Sequence, residues 1–234
     1  MKKGKKNWNE RVVRYIRQLV FGFEDSLVST LGAITGIAGG SQDNFVVVLA
    51  GMVIIFVESL SMGVGAFLSS KSEREVIEAT IAKEKKLIAK DPEGERTEIR
   101  AYLKKHGFKQ KEMESIVEYL MSNRRLLLEE MMVHEYGMIA DSAKMSRKRG
   151  LVMWASYFVG GFFPVLPYLL LPIGLALPVS IATTLVILFS FGALKTKFTG
   201  QSWIKSGAEM MLLSISAAVV GYIVGRVVAA VFGI

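Results

Sequence analysis

The chain has 234 residues, 51% of them hydrophobic, and a formal net charge of +8; its mean hydropathy is +0.38. A soluble domain spreads its charged residues, roughly a quarter of the total, along the whole chain. Here residues 71–149 hold 18 of the 29 Lys/Arg and 15 of the 21 Asp/Glu, residues 150–194 hold no acid at all, and cysteine is absent. That segregation excludes a simple soluble enzyme, a disordered chain and a secreted disulfide scaffold, and the missing cysteine excludes a thiolate metal site. The reading left is an all-α integral membrane protein with one helical soluble insert.

The N-terminal stretch, MKKGKKNWNERVVRYIRQ, is basic and lacks a small-residue cleavage signature, so it is expected to be retained. Trp8, Val12, Tyr15, Ile16, Leu19 and Phe23 recur at spacings of three and four, an apolar stripe opposite Lys/Arg. This segment either continues as an interfacial helix into the first span or docks against the insert.

A hydrocarbon core about 30 Å thick takes about 20 helical residues to cross. Five stretches qualify: 21–40, 45–68, 151–171, 177–194 and 208–232. The connection SQDN between the first two and LPIGLALP between the third and fourth carry no cation. The tail before the first span carries Lys2, Lys3, Lys5, Lys6, Arg11, Arg14 and Arg17, the insert ends in Arg147, Lys148 and Arg149, and the loop after the fourth span carries Lys195, Lys197 and Lys205. Cation-rich loops face the cytoplasm, so the N-terminus and the insert are expected there and the C-terminus outside. Arg226, near the outer end, can snorkel. Orientation accounts for the positive charge, and no nucleic-acid partner is expected. Gly32, Gly36 and Gly40, and again Gly221 and Gly225, repeat every four residues, a spacing that lets helices approach closely in lipid. Pro164, Pro167, Pro172 and Pro178 require the third span and its exit to bend or break.

Ionisable groups inside a span are functional candidates, because an unpaired buried charge costs several kcal/mol. Asp25 follows Glu24 at the start of the first span, and Glu58 sits in the middle of the second. Met62, four residues after Glu58, shares its helical face. A carboxylate beside a thioether suits a borderline-soft divalent cation. Asp25 also has a plain reading as a helix-start acid favoured by the dipole, and Met62 one as packing.

The insert reads as helices over 72–90, 95–105, 110–122 and 123–140, with turns at DPEG and HGF. Glu84, Glu95 and Glu98 supply carboxylates, and Met131, Met132 and Glu135 fall within one turn. Such a set can hold Fe²⁺ or a similar ion; the plain reading is a solvated face and a methionine-filled core. A ferritin-type Glu-x-x-His pair is missing, since Met131 stands three before His134.

FEDSLVSTLGAITGIAGG, SMGVGAFLSSKSERE, LLLEEMMVHEYGM, YFVGGFFPVLPYLL and FGALKTKFTGQSWIKSG, in this order and at this spacing, resemble the vacuolar iron transporter family, in the branch that carries a cytoplasmic metal-binding insert. The resemblance covers nearly the whole chain. It implies a homodimer of five-helix protomers exporting cytosolic Fe²⁺ in exchange for protons, with no cofactor and no enzymatic activity. Mn²⁺, Co²⁺, Ni²⁺ and Zn²⁺ are further candidate ions. Residues 1–70 would hold the amphipathic segment and two spans, 71–149 the metal-binding domain, and 150–234 the last three spans. By the same resemblance Asp25 and Met62 line the path, while Glu84, Glu95, Glu98, Met131, Met132 and Glu135 bind metal on the insert. Two positions depart: Ile54 stands where the plant type has a glutamate, with Glu58 one turn later, and Leu87 replaces another glutamate of the insert. A prokaryotic plasma membrane is expected, or a vacuolar membrane if the source is eukaryotic. The competing readings are a manganese-preferring transporter of the same fold, a membrane-anchored ferritin-like metal-binding protein, and a scaffold that does not transport.

Overall fold

The computed structural model is all-α. It describes the backbone of residues 2–136 and 146–233, and the side chains of residues 15–134, 136 and 147–233. The described residues form eight helices: α1 (Lys2–Ser41), α2 (Asn44–Lys90), α3 (Pro92–Lys105), α4 (Gln110–Ser122), α5 (Arg124–Tyr136), α6 (Ser146–Leu170), α7 (Ile173–Thr199) and α8 (Trp203–Phe232). Two compact units result, Met1–Phe67 with Arg147–Ile234, and Leu68–Ser146.

The N-terminal stripe and the first apolar stretch belong to one helix, α1; Trp8 and Val12 of that stripe lie outside the described side chains. The helix stops at Gln42, whose φ of 53° leaves the helical region. Asp43 Oδ1 then accepts the Phe45 N–H at 2.7 Å and starts α2. The stretches 45–68 and 72–90, separate in the sequence reading, are continuous in α2. Ser69, Ser70 and Lys71 between them include neither Gly nor Pro, so nothing interrupts the hydrogen-bond ladder.

Among the described residues four helices are long and apolar enough to cross a membrane: α2, α6, α7 and α8. Only 11% of the most apolar stretch of α8 is buried within the protein, and Leu212, Val220, Ile223, Val227 and Val231 face outward. Such an outward apolar face is suited to lipid. α1 falls short on apolarity, because Glu24, Asp25, five serines and threonines and its glycines dilute its leucines. Its apolar residues are used inside instead: Leu27, Leu31 and Ile34 are 0% exposed.

In this first unit α1 packs chiefly on α8, and α8 on α7. The glycine repeats set the first contact. A Cβ at Gly221 would fall on the Gly32 carbonyl oxygen, and one at Gly225 on that of Gly36. Phe23 of α1 packs between Phe191 of α7, tilted at 4.5 Å between ring centroids, and Phe163 of α6, edge-on at 6.0 Å. Pro164 and Pro167 stay inside α6, and Ser180 of α7 donates its hydroxyl to the Pro164 carbonyl at 2.6 Å. The turn into α7 is shorter than LPIGLALP: Pro172 precedes the helix in extended conformation and Pro178 lies within it. Asn44 Nδ2 reaches the Leu171 carbonyl at 2.7 Å, tying the start of α2 to the end of α6.

In the second unit the caps follow the sequence. Asp91 accepts the Gly94 N–H at 2.9 Å with Pro92 in the first turn of α3. Gly107, at φ 83°, ends that helix, with Phe108 N–H returning to the Leu103 carbonyl. Asn123 Oδ1 accepts from Leu126 N–H at the start of α5. The core gathers Ile88, Ile99, Leu103, Met113, Val117, Leu120, Leu127 and Met131. Arg100 of α3 clamps Glu114 of α4 through Nε and Nη2 at 2.9 and 2.8 Å.

Two predictions follow from this packing. Gly221→Val should separate α1 from α8 and cost about 2 kcal/mol in detergent unfolding, whereas Gly65→Ala, whose Cβ meets nothing within 4 Å, should be neutral or slightly stabilising. The Arg100 guanidinium holds the Glu114 carboxyl below its ordinary range. Because the folded value is depressed, the stabilisation is present above the usual glutamate range and is lost as pH falls through the folded value. Both side chains are about one-third exposed, 37% and 35%, so the effect is small. Glu114→Gln should lower the insert's melting temperature at neutral pH, and the difference from wild type should shrink and vanish as pH falls through the depressed folded value.

Candidate functional site

The polar residues of the first unit converge rather than scatter. On α1, Asp25 and Ser29 are four residues apart and therefore on one face; on α2, Glu58 and Met62 are likewise paired. The two faces meet. Ser29 Oγ donates to Glu58 Oε2 at 3.3 Å. Tyr157 of α6 also donates its hydroxyl to Glu58 Oε2, and the Ser29 and Tyr157 hydroxyls lie 2.6 Å apart. Asp25 is within electrostatic reach of Glu58, and Glu24 within reach of Lys195 at the end of α7.

Burial explains why this cluster is organised. Tyr157 is 1% exposed, and the next turn of α6 is locked on both sides. A Cβ at Gly160 would strike Ser26 Oγ of α1, and one at Gly161 would come within 2.8 Å of Ile55 of α2. The glycines let α6 approach closely enough for the tyrosine to reach the carboxylate. Neither Tyr157 nor Ser29 stands out in the sequence. A hydroxyl four residues after Asp25 and a tyrosine at the head of YFVGG are the only local cues, and neither names its partner.

Asp25, Glu58 and Met62 provide two carboxylates and a thioether. Among the described residues no group of three or more Asp, Glu or His is placed to hold a metal. Two carboxylates alone do not fill a coordination sphere, so a cation there would need further donors from the thioether, hydroxyls or water.

In the second unit Glu84 is 0% exposed and accepts from the Tyr136 hydroxyl at 3.3 Å. Glu95 is also buried, whereas Glu98, three residues later, is exposed. Met131 and Met132 are both 2% exposed, Met131 within the apolar core. The side chain of Glu135 lies outside the described residues. His134 packs its ring on Tyr102 at 3.6 Å, and His106 sits against the same tyrosine at 4.2 Å with Nδ1 2.9 Å from the Tyr102 carbonyl oxygen.

The position of Met131 carries its own prediction. Met131→Leu should leave the insert's stability within about 1.5 kcal/mol. Met131→Ala should lower it by about 2–5 kcal/mol through the cavity it opens beside Leu127 and Val117. Thermal melts of the two variants separate these outcomes.

Comparison with known proteins adds to this geometry. A family model described as the VIT family matches residues 16–226. The chain is 29% identical over 214 residues to "Vacuolar iron transporter 1" of Arabidopsis thaliana, covering 91% of this chain and 86% of that protein. It is 28% identical over 208 residues to "Vacuolar iron transporter 1" of Oryza sativa subsp. japonica, covering 88% and 82%. It is 27% identical over 239 residues to "Vacuolar iron transporter" of Toxoplasma gondii, covering 98% and 79%.

Proposed function

The chain belongs to the VIT family, whose members are transporters rather than enzymes, and we propose that it carries Fe²⁺ out of the cytoplasm across a membrane in exchange for protons. The observation that carries this reading is the junction of α1 and α2 at Ser29 and Glu58, which brings half-buried Asp25, one turn before Ser29, within electrostatic reach of half-buried Glu58, with Met62 on the Glu58 face. An isolated carboxylate there would be expensive. Two that can share either a divalent cation or protons serve as an exchange site, because loading one cargo displaces the other. Asp25 and Glu58 alternate between the two, and Met62 adds a soft donor.

In this reading α1 is a fifth span. Its buried Leu27, Leu31 and Ile34 and its contact with α8 and α7 support that placement: a helix enclosed by apolar neighbours does not itself need an apolar surface. The lysines and arginines before α1, at the end of the insert and after α7 put the N-terminus and insert in the cytoplasm. The membrane is a prokaryotic plasma membrane, and the working unit is a homodimer. The insert collects metal through Glu84, Glu95, Glu98, Met131, Met132 and Glu135. Mn²⁺ is the foremost rival cargo, since carboxylate and thioether donors separate it poorly from Fe²⁺; Co²⁺, Ni²⁺ and Zn²⁺ follow.

Proteoliposomes with an acidic lumen test this directly. Wild type should accumulate Fe²⁺ in proportion to the proton gradient, and Asp25→Ala and Glu58→Gln should each lose at least about 90% of the rate, a barrier change of about 1.4 kcal/mol or more. Parallel uptake of Mn²⁺ ranks the two ions. Flux indifferent to the gradient would remove the exchange, and flux indifferent to both substitutions would move the path elsewhere.

A further inference from the structure

Two hydroxyl donors converge on one oxygen of Glu58. Tyr157 donates to Oε2, and Ser29 Oγ, 3.3 Å from that oxygen and 2.6 Å from the Tyr157 hydroxyl, shares its one proton between them. The triangle joins α1, α2 and α6, and the close glycine contacts around Gly160 and Gly161 keep α6 from shifting away. To present both oxygens to a ligand, Glu58 would have to turn and give up the Tyr157 hydrogen bond and its share of the Ser29 proton; hydrogen bonds to an ionised carboxylate are roughly twice as strong as neutral ones. Tyr157, at 1% exposure, would then keep a buried hydroxyl with a weaker partner set. Oε1 is thus the oxygen offered to a cation.

We infer that Tyr157 and Ser29 are positioning residues that set ion selectivity: by occupying Oε2 they make Glu58 a one-oxygen ligand, favouring small first-row divalent cations over Ca²⁺. The chemistry behind this is coordination number. Ca²⁺ takes 6–8 oxygen ligands and commonly uses a carboxylate through both oxygens. Fe²⁺, Co²⁺ and Zn²⁺ are smaller and are satisfied by one oxygen together with soft or nitrogen donors. Asp25 and Met62 complete a site of few donors, which suits the second class. Ser29 and Tyr157 act through Glu58 and need not touch the ion.

This inference rests on the transport reading, and its test keeps the two apart. The probe is Co²⁺ uptake into proteoliposomes by the full-length protein, with Ca²⁺ as competitor. Wild type should show a low KM for Co²⁺ and weak inhibition by Ca²⁺. Tyr157→Phe, which removes the hydroxyl and keeps the ring, should make Ca²⁺ inhibition roughly tenfold stronger relative to the Co²⁺ KM, the ratio expected for one charge-assisted hydrogen bond. Ser29→Ala should move the ratio the same way by less, and Ser29→Thr should restore it. A merely structural role would lower uptake and leave the ratio of the two constants fixed. Folded Tyr157→Phe and Ser29→Ala proteins with the wild-type ratio would overturn the positioning role. If Tyr157→Phe does not fold, the Ser29 pair decides alone. A folded wild type that carries neither Co²⁺ nor Fe²⁺ overturns the transport reading instead, and one that carries Fe²⁺ alone is scored by the same ratio with Fe²⁺ in place of Co²⁺.

Discussion

A carboxylate in the middle of an apolar helix must find hydrogen-bond donors on its neighbours, and Glu58 finds them on two. That requirement fixes how closely α1, α2 and α6 approach. Ser29 has to come from α1 and Tyr157 from α6, which is possible only where the backbones nearly touch. The small residues are placed accordingly: Gly160 and Gly161 face Ser26 and Ile55. The Gly32 and Gly36 repeat packs the following turns of α1 against Gly221 and Gly225 of α8. α1 is consequently held by α6 and α8 along its length, with Asp25 one turn before Ser29.

The second unit meets the same requirement differently. Its charge is mostly at the surface, and its core is assembled from aliphatic and methionine side chains. Glu84 and Glu95 depart from this, both buried, with Glu84 at 0% exposure and bonded by Tyr136. A fully buried acid in a helical insert is as conspicuous as one in a span, because in both places the charge has left water. In the function proposed above, Glu84 and the half-buried Glu58 serve the same cargo.

Much of the fold is legible in local sequence. Asp91 with Pro92, Gly107 and Asn123 mark helix ends in the second unit because capping is a matter of adjacent residues. The four-residue glycine repeats announce a close helix contact, although not that α1 would meet α8. Continuity is less visible. The switch from apolar to charged residues near Leu68 looks like a boundary, yet backbone hydrogen bonds do not respond to polarity and α2 runs through it. Pro178 shows the converse, since a proline early in a helix leaves few bonds to break. At the candidate site, helical periodicity puts Met62 on the Glu58 face. Nothing within reach along the chain identifies Tyr157, which lies 99 residues away from Glu58. Nor does acid spacing foretell that Glu95 is buried and Glu98 exposed.

The central claim is that a divalent cation occupies the space between Asp25 and Glu58. Anomalous scattering from crystals of the full-length protein soaked in Co²⁺ and recorded at the cobalt edge locates the ion directly. The account predicts a peak bounded by Asp25, Glu58 and Met62, weakened or lost in Glu58→Gln. Peaks confined to the insert, in crystals where the Glu58 environment is fully occupied by protein and water, would contradict it.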